Sequence, residues 1–218
     1  MIPGIRGLRA EAAALAVADR WWIAAGASTA GIGGGAVLCQ AATPSPVGGP
    51  AAHALAQLGI ILAALATLLL GGWSVWLARL DLREHRLPNP VLVWATLSVI
   101  AVGVAALLAL GAGSRLLAAL GTTLIVLGAA LTAWVARPAA FGAGDLKLVP
   151  VTVFPVAAID PLLVATGYAG TLLLGVMLAG VVAHRRGRAE FAAGPILLLA
   201  CWTGLALGAG ALCRDIAG

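Results

Sequence analysis

Charged side chains are scarce in this sequence. Only 10% of its 218 residues are Asp, Glu, Lys or Arg, whereas 62% are hydrophobic. Soluble globular domains carry about a quarter charged residues and about half apolar ones, so this composition excludes an ordinary soluble domain. We therefore expect an all-α polytopic membrane protein.

Paired cysteines are lacking as well. Cys39, Cys201 and Cys213 stand singly, with no Cys-x-x-Cys motif and no histidine at ligand spacing. Single cysteines of this kind are typically small buried residues rather than metal ligands or parts of a disulfide framework. The sequence also carries no nucleotide-binding or metal-binding pattern, so we expect neither a cofactor nor a metal.

The net charge of +5 could indicate a nucleic-acid partner, but the distribution of the basic residues argues against one. They lie in short clusters between apolar runs, which is the pattern of loops on the inner side of a membrane. The basic residues assigned to the inner side are Arg6, Arg9, Arg20, Arg79, Arg83, Arg86, Arg137, Lys147, Arg185, Arg186 and Arg188, and those assigned to the outer side are Arg115 and Arg214. We expect the amino terminus inside, the carboxyl terminus outside and no nucleic acid bound.

Apolar runs predict about six or seven transmembrane helices. The runs cover residues 21–39, 54–78, 91–110, 115–136, 148–159, 162–183 and 193–212. Residues 1–53 are interpreted as a surface helix, a signal anchor and an outer loop, and residues 54–218 as one membrane-embedded domain. If residues 21–39 do not span the membrane, six segments remain and the amino terminus changes sides.

The segment 148–159 differs from the others because Pro150 and Pro155 interrupt it. Proline removes a helical hydrogen bond, and within a membrane this is tolerated mainly where protein or water satisfies the freed carbonyl. We expect this segment to be packed in the interior. Asp160 and Pro161 follow it and resemble the start of a helix, with Asp160 as the N-cap rather than as a catalytic group.

Two acidic motifs lie next to apolar runs. Asp81 opens the stretch Asp-Leu-Arg-Glu-His-Arg-Leu-Pro-Asn, and Asp145 lies in Phe-Gly-Ala-Gly-Asp-Leu-Lys-Leu. An ionisable group this close to hydrocarbon is costly unless it is paired, solvated or protonated, so it is by default a functional candidate. The predicted topology places both acids on one side of the membrane, each at a helix boundary. Gly142 and Gly144 would let the backbone approach a substrate closely or adopt a conformation closed to other residues.

Brought together, the two acids would form a catalytic dyad. Two carboxyl groups about 3 Å apart share a proton, so one can act as a base toward water while the other polarises a peptide carbonyl. The residues alone leave other interpretations open. Asp145 could pair with Lys147 in an ordinary polar turn. Asp81, Asp145 and Lys147 could form the relay of a small proton-coupled transporter, or both acids could be caps in an inactive membrane scaffold.

The two acidic motifs resemble the two signatures of the type IV prepilin peptidases, bacterial relatives of the archaeal preflagellin peptidases. A third stretch, Phe191-Ala192-Ala193-Gly194-Pro195-Ile196-Leu197, is similar to the stretch that opens that family's last transmembrane helix. The resemblance covers about residues 55–212 and implies an intramembrane aspartyl endopeptidase with Asp81 and Asp145 as its dyad. It further implies motif-supporting or substrate-binding roles for Gly142, Gly144, Lys147, Pro88, Asn89, Gly194 and Pro195.

The resemblance also implies a substrate and a location. The substrates would be pilin-like precursors with a short basic leader and an apolar helix, cleaved at the cytoplasmic face of the inner (plasma) membrane by a peptidase domain at residues 54–218. Longer family members carry a cytoplasmic domain with paired Cys-x-x-Cys motifs, associated with methylation of the new amino terminus. Residues 40–53 leave no room for that domain, so methyl transfer is not expected. Pro150 and Pro155 also depart from the family, which usually has a smoother helix there.

Overall fold

The computed structural model describes residues 49–84, 89–136, 143–185 and 193–217. Within these ranges every regular element is a helix. The elements in chain order are α1 (Pro50–Glu84), α2 (Asn89–Ala109), α3 (Gly113–Ala136), α4 (Ala143–Ile159), α5 (Pro161–Leu163), a π-helix (Val164–Tyr168), α6 (Ala169–Arg185) and α7 (Gly194–Ala217).

Five stretches of the described residues are long and apolar enough to cross a membrane. They are Pro50–Asp81, Asn89–Ala109, Gly113–Ala136, Pro161–Val182 and Gly194–Ala211. Their outward side chains are large and hydrophobic, which suits contact with lipid; Ile125, Val135 and Leu117, for example, are exposed on α3. The prediction of an all-α multi-pass membrane protein is confirmed at this level. The first predicted segment, residues 21–39, lies outside the described residues.

Helix α4 forms the centre of the bundle. It packs against α2, α3, α7 and the π-helix. With 17 residues it is about 25 Å long, shorter than the five candidate spans. Most side chains in its middle are buried; Thr152, Val153 and Val156 are each 0% exposed. The prediction that this proline-containing segment is packed in the interior is confirmed, and both prolines lie inside the continuous helix.

Two helices extend beyond the apolar runs that predict them, and each extension includes one of the acids. The apolar run ends at residue 78, whereas α1 continues to Glu84, so Asp81 lies in the last turn of the helix. The apolar run at 148–159 begins after Lys147, whereas α4 begins at Ala143, so Asp145 lies in the first turn of the helix. Backbone hydrogen bonding does not stop where the side chains turn polar, so hydropathy underestimates helices that extend into the interface.

Glycines allow the helices to pack closely. A Cβ built on Gly103 of α2 would lie 2.8 Å from the ring of Phe154 on α4, and one on Gly204 of α7 would lie 2.8 Å from Val156. Real Cβ atoms essentially never approach another heavy atom so closely. Small residues are favoured between membrane helices for this reason, because they let backbones approach one another.

Polar groups inside the bundle are bonded across helices. Trp73 on α1 donates its indole N–H to Ser98 on α2 at 2.9 Å. Trp202 on α7 donates to Ser74 on α1 at 3.2 Å. The hydroxyls of Thr152 on α4 and Tyr168 at the end of the π-helix are 3.0 Å apart in the interior. The bond from Trp202 joins helices whose residues are 128 positions apart in the sequence.

One end of the bundle is built from local turn and cap structures. Between α2 and α3, Gly111 has a φ of +66°, which favours glycine. The N–H of Ala112 bonds to the carbonyl of Leu107 at 2.8 Å, and that of Gly111 bonds to Leu108 at 3.0 Å, which is a Schellman motif. At the same end, Asp160 accepts the N–H of Leu162 at 2.9 Å, so its predicted role as N-cap is confirmed.

Candidate functional site

The opposite end of the bundle holds the predicted site residues. Helices α1, α3 and α6 end there, and α2, α4 and α7 begin there. Two long-range contacts, one made by Asp81 and one by Lys147, connect four of these six helix ends. The site therefore depends on how the helices pack, and no single loop contains it.

Asp81 is a buried carboxyl in the last turn of α1, with 8% of its surface exposed. Its side chain lies directly against Gly194, the first residue of α7. A Cβ built on Gly194 would be 2.6 Å from the Asp81 Oδ2 and 3.2 Å from its Cγ. The first acidic motif and the third motif of the sequence are thus in contact.

Leu148 extends this contact to α4. The same Cβ position on Gly194 lies 3.4 Å from the Cδ1 of Leu148, whose side chain is fully buried. Leu148 follows Asp145 by three residues, and residues three apart lie on the same side of a helix. Leu148 therefore borders the contact between Asp81 and Gly194, and Asp145 lies one turn before it on the same side of α4.

Asp145 is half-buried in the first turn of α4. A carboxylate in this position is favoured by the positive end of the helix dipole, an effect of about 0.3–1 kcal/mol in exposed settings. Gly144, just before it, has a helical backbone. Among the described glycines the positive φ belongs to Gly111, so Gly144 does not use the special backbone conformation that we predicted as one of its two possible roles.

Lys147 and Asn89 join the beginnings of α4 and α2. The Lys147 ammonium donates a hydrogen bond to the Asn89 Oδ1 at 2.5 Å, and both side chains are exposed. The open alternative from the sequence was a pair between Lys147 and Asp145. The contact gives the ammonium a partner on another helix and links the two acidic motifs directly.

Gly194 and Pro195 start α7 in a regular way. The carbonyl of Ala193 accepts the N–H of Ile196 at 3.0 Å and that of Leu197 at 3.1 Å. Pro195 lies in the first turn, where a missing N–H leaves no helical bond unmade. Proline also fixes φ, which restricts the backbone next to Gly194 at the point where it meets Asp81.

The structure thus brings together some of the predicted site residues and leaves others untested. Asp81 meets Gly194, and Asn89 meets Lys147. Asp145 and Gly144 lie on the first turn of α4, and Pro195 lies on the first turn of α7. The predicted residues Pro88 and Gly142 lie outside the described part of the chain.

Two features of the site are not evident from the sequence. One is Leu148, an apolar residue of the second acidic motif that borders the contact between Asp81 and Gly194. Its position one turn after Asp145 is a possible signal, although leucine is common throughout the chain. The other is the bond between Asn89 and Lys147, which are 58 residues apart. A bond between residues so far apart produces no local pattern in the sequence.

Metal ligands are not gathered at this end in the described residues. Across the described ranges, no group of three or more His, Cys, Asp or Glu side chains is placed to hold a metal ion.

Comparison of the chain with protein-family models, with curated proteins and with solved structures finds no match.

Proposed function

We propose that this chain is an intramembrane aspartyl endopeptidase that removes the leader peptide from type IV pilin-like precursors. The observation that carries the proposal is the contact between Asp81 and Gly194. An acid in the last turn of a membrane helix is buried against a motif from the far end of the sequence. Together with the bond between Lys147 and Asn89, it gathers all three motifs of the family resemblance at one end of the bundle.

The proposed chemistry uses both acids. The ionised member of the pair removes a proton from water, and the water oxygen attacks the carbonyl carbon of the scissile peptide bond. The protonated member donates a hydrogen bond to the carbonyl oxygen, which stabilises the negative charge that develops there. Collapse of the tetrahedral intermediate breaks the C–N bond, and a proton passes to the leaving amine. One water and one peptide bond yield a carboxylic acid and an amine.

The position of the acids suits a substrate that is itself a membrane helix. A pilin-like precursor carries a polar leader next to an apolar helix, so its scissile bond lies near the membrane surface rather than at its centre. The acids of this chain lie at helix ends, Asp81 in the last turn of α1 and Asp145 in the first turn of α4. Secondary transporters instead place their sites near the midplane, which is why we prefer the peptidase over a proton-coupled transporter.

Cleavage by the purified protein tests the proposal. The chain is reconstituted in lipid, incubated with a pilin-like precursor encoded in the same genome, and the products are analysed by mass spectrometry. We expect a precursor shortened by its leader. Proton-coupled uptake into proteoliposomes without cleavage would instead indicate the transporter, and neither activity would indicate the inactive scaffold.

The orientation of the site is tested separately. The arginine distribution predicts that the end with Asp81 faces the cytoplasm. Single cysteines are introduced into a cysteine-free background as Arg185→Cys at the site end and Ser114→Cys at the opposite end, both at exposed positions. In intact cells an impermeant thiol reagent should label position 114 and spare position 185. Labelling of position 185 alone would place the site outside and contradict the proposed cytoplasmic cleavage.

A further inference from the structure

The contact between Asp81 and Gly194 assigns Gly194 a role that the sequence motif does not specify. We propose that Gly194 is a positioning residue: the absence of its side chain lets the Asp81 carboxyl lie against the start of α7, and this contact sets where the carboxyl points. The inference rests on the proposed function for its catalytic consequence. The contact between Asp81 and Gly194 does not depend on the proposed function.

Steric space is the first argument. A methyl group on Gly194 would overlap the Asp81 Oδ2 at 2.6 Å and crowd its Cγ at 3.2 Å. The aspartate side chain is short and buried, and Leu77 and Ala78, one turn before it on α1, are 1% and 0% exposed. Leu148 borders the same space at 3.4 Å. The carboxyl therefore has little room to retreat, so a larger residue at position 194 must turn or displace it.

Electrostatics gives the second argument. Asp81 lies in the last turn of the 35-residue α1, where the negative end of the helix dipole disfavours a carboxylate. Its carboxyl also lies against the first residue of the 24-residue α7, where the positive end of that helix's dipole favours a carboxylate. Close approach to Gly194 thus brings the carboxyl near a favourable dipole. If the carboxyl moved away from α7, it would lose this favourable dipole and keep the unfavourable dipole at the end of α1.

A purely structural interpretation makes a different prediction. If Asp81 only anchors the start of α7, then Gly194→Ala should weaken folding and leave the chemistry of the folded protein unchanged. The chain offers a matched control on the same helix. Gly204→Ala would place a methyl 2.8 Å from Val156, a comparable overlap that involves no carboxyl. Gly180→Ala on α6 meets nothing within 4 Å and serves as the neutral control.

The experiment measures activity, thermal stability and the Asp81 carboxyl itself in the reconstituted full chain. Infrared spectra are recorded with ¹³C-labelled aspartate, and the Asp81 band is identified by its loss in Asp81→Asn. We expect Gly194→Ala to shift this band and to lower kcat by about a hundredfold with KM little changed, since misplacing a catalytic group by about 1 Å can cost that much. Gly204→Ala should lower the melting temperature with the band unmoved. Gly180→Ala should alter neither.

Each outcome bears on the proposal. If Gly194→Ala lowers the melting temperature as Gly204→Ala does, but leaves both the band and kcat unchanged, Gly194 is not a positioning residue. If the parental protein cleaves no precursor and the band still shifts in Gly194→Ala, the proposed function fails and the contact stands. If Gly194→Ala does not fold, the contact between Asp81 and Gly194 is tested by solid-state NMR of the parental protein. A cross-peak between an aspartate Cγ and a glycine Cα that Asp81→Asn removes supports the contact, and its absence overturns it.

Discussion

The two ends of the bundle treat their acids differently. Asp160 accepts a hydrogen bond from the backbone two residues ahead and completes the start of its own helix. Asp81 lies against Gly194 on a helix from the far end of the sequence and is buried there. Asp160 satisfies a backbone N–H that would lack a partner at the start of any helix. Asp81 is held where helices from three parts of the chain meet, which local folding does not require.

The connections at the two ends show the same difference. The turn at Gly111 satisfies its own backbone groups through bonds to Leu107 and Leu108. At the other end, Lys147 reaches across to Asn89 on a different helix. An end built from local bonds is explained by the chain's need to turn. An end that gathers polar groups from separate helices close to lipid needs another explanation, and we propose catalysis.

The largest expected effect is loss of cleavage on changing the dyad. Asn has nearly the shape of Asp and keeps local hydrogen bonds, but it cannot exchange a proton. Asp81→Asn and Asp145→Asn should each lower kcat by about 10⁴-fold or more, and the double variant should be little worse, because members of a catalytic unit are strongly non-additive. Single-turnover cleavage in lipid measures this. Near-parental cleavage by well-folded Asp145→Asn would show that the protease proposal is wrong.

An intermediate effect is expected from the bond between Lys147 and Asn89. Lys147→Met and Asn89→Leu remove one partner each while keeping similar side-chain volume. Both groups are exposed, so we expect a coupling free energy of about 0.5–1 kcal/mol in a double-mutant cycle of unfolding in lipid. The two single variants should have similar, modest effects on cleavage.

The cycle also distinguishes the two partners considered for Lys147. If the ammonium acts mainly on Asp145, Lys147→Met should impair cleavage while Asn89→Leu leaves it intact, and the coupling should vanish. Equal effects of the two variants with measurable coupling would support the contact seen in the structure.

The smallest effect is expected at Asp160. Asn is as good an N-cap as Asp, so Asp160→Asn should leave stability nearly unchanged, whereas Asp160→Ala should lower the free energy of unfolding by about 1 kcal/mol. Neither change should alter the kcat of the folded protein, because this acid lies at the other end of the bundle. A loss of cleavage in stably folded Asp160→Asn would contradict the assignment of a purely structural role to Asp160 and its end of the bundle.

The sequence predicted the membrane class, the positions of the five described candidate spans and the burial of the proline-containing segment. It did so because hydropathy and helix capping are local properties. Asp160 illustrates this: its role follows from the proline beside it and from an N–H two residues away. The sequence missed the π-helix at Val164–Tyr168, which follows from no local propensity that we recognised. The apolar run at 54–78 also ends before α1 does, because hydropathy marks where lipid contact ends rather than where the helix ends.

Only the tertiary structure decided which groups meet at the site. The sequence gives no signal that Lys147 bonds to Asn89, and the packing of α2 against α4 brings the two side chains together. The sequence contains Gly194 within a motif, but its contact with Asp81 depends on how α7 sits against α1 and α4. Contacts of this kind are fixed by the depth and rotation of whole helices, which many packed side chains determine together. A residue's own neighbours in the sequence carry too little information to set them.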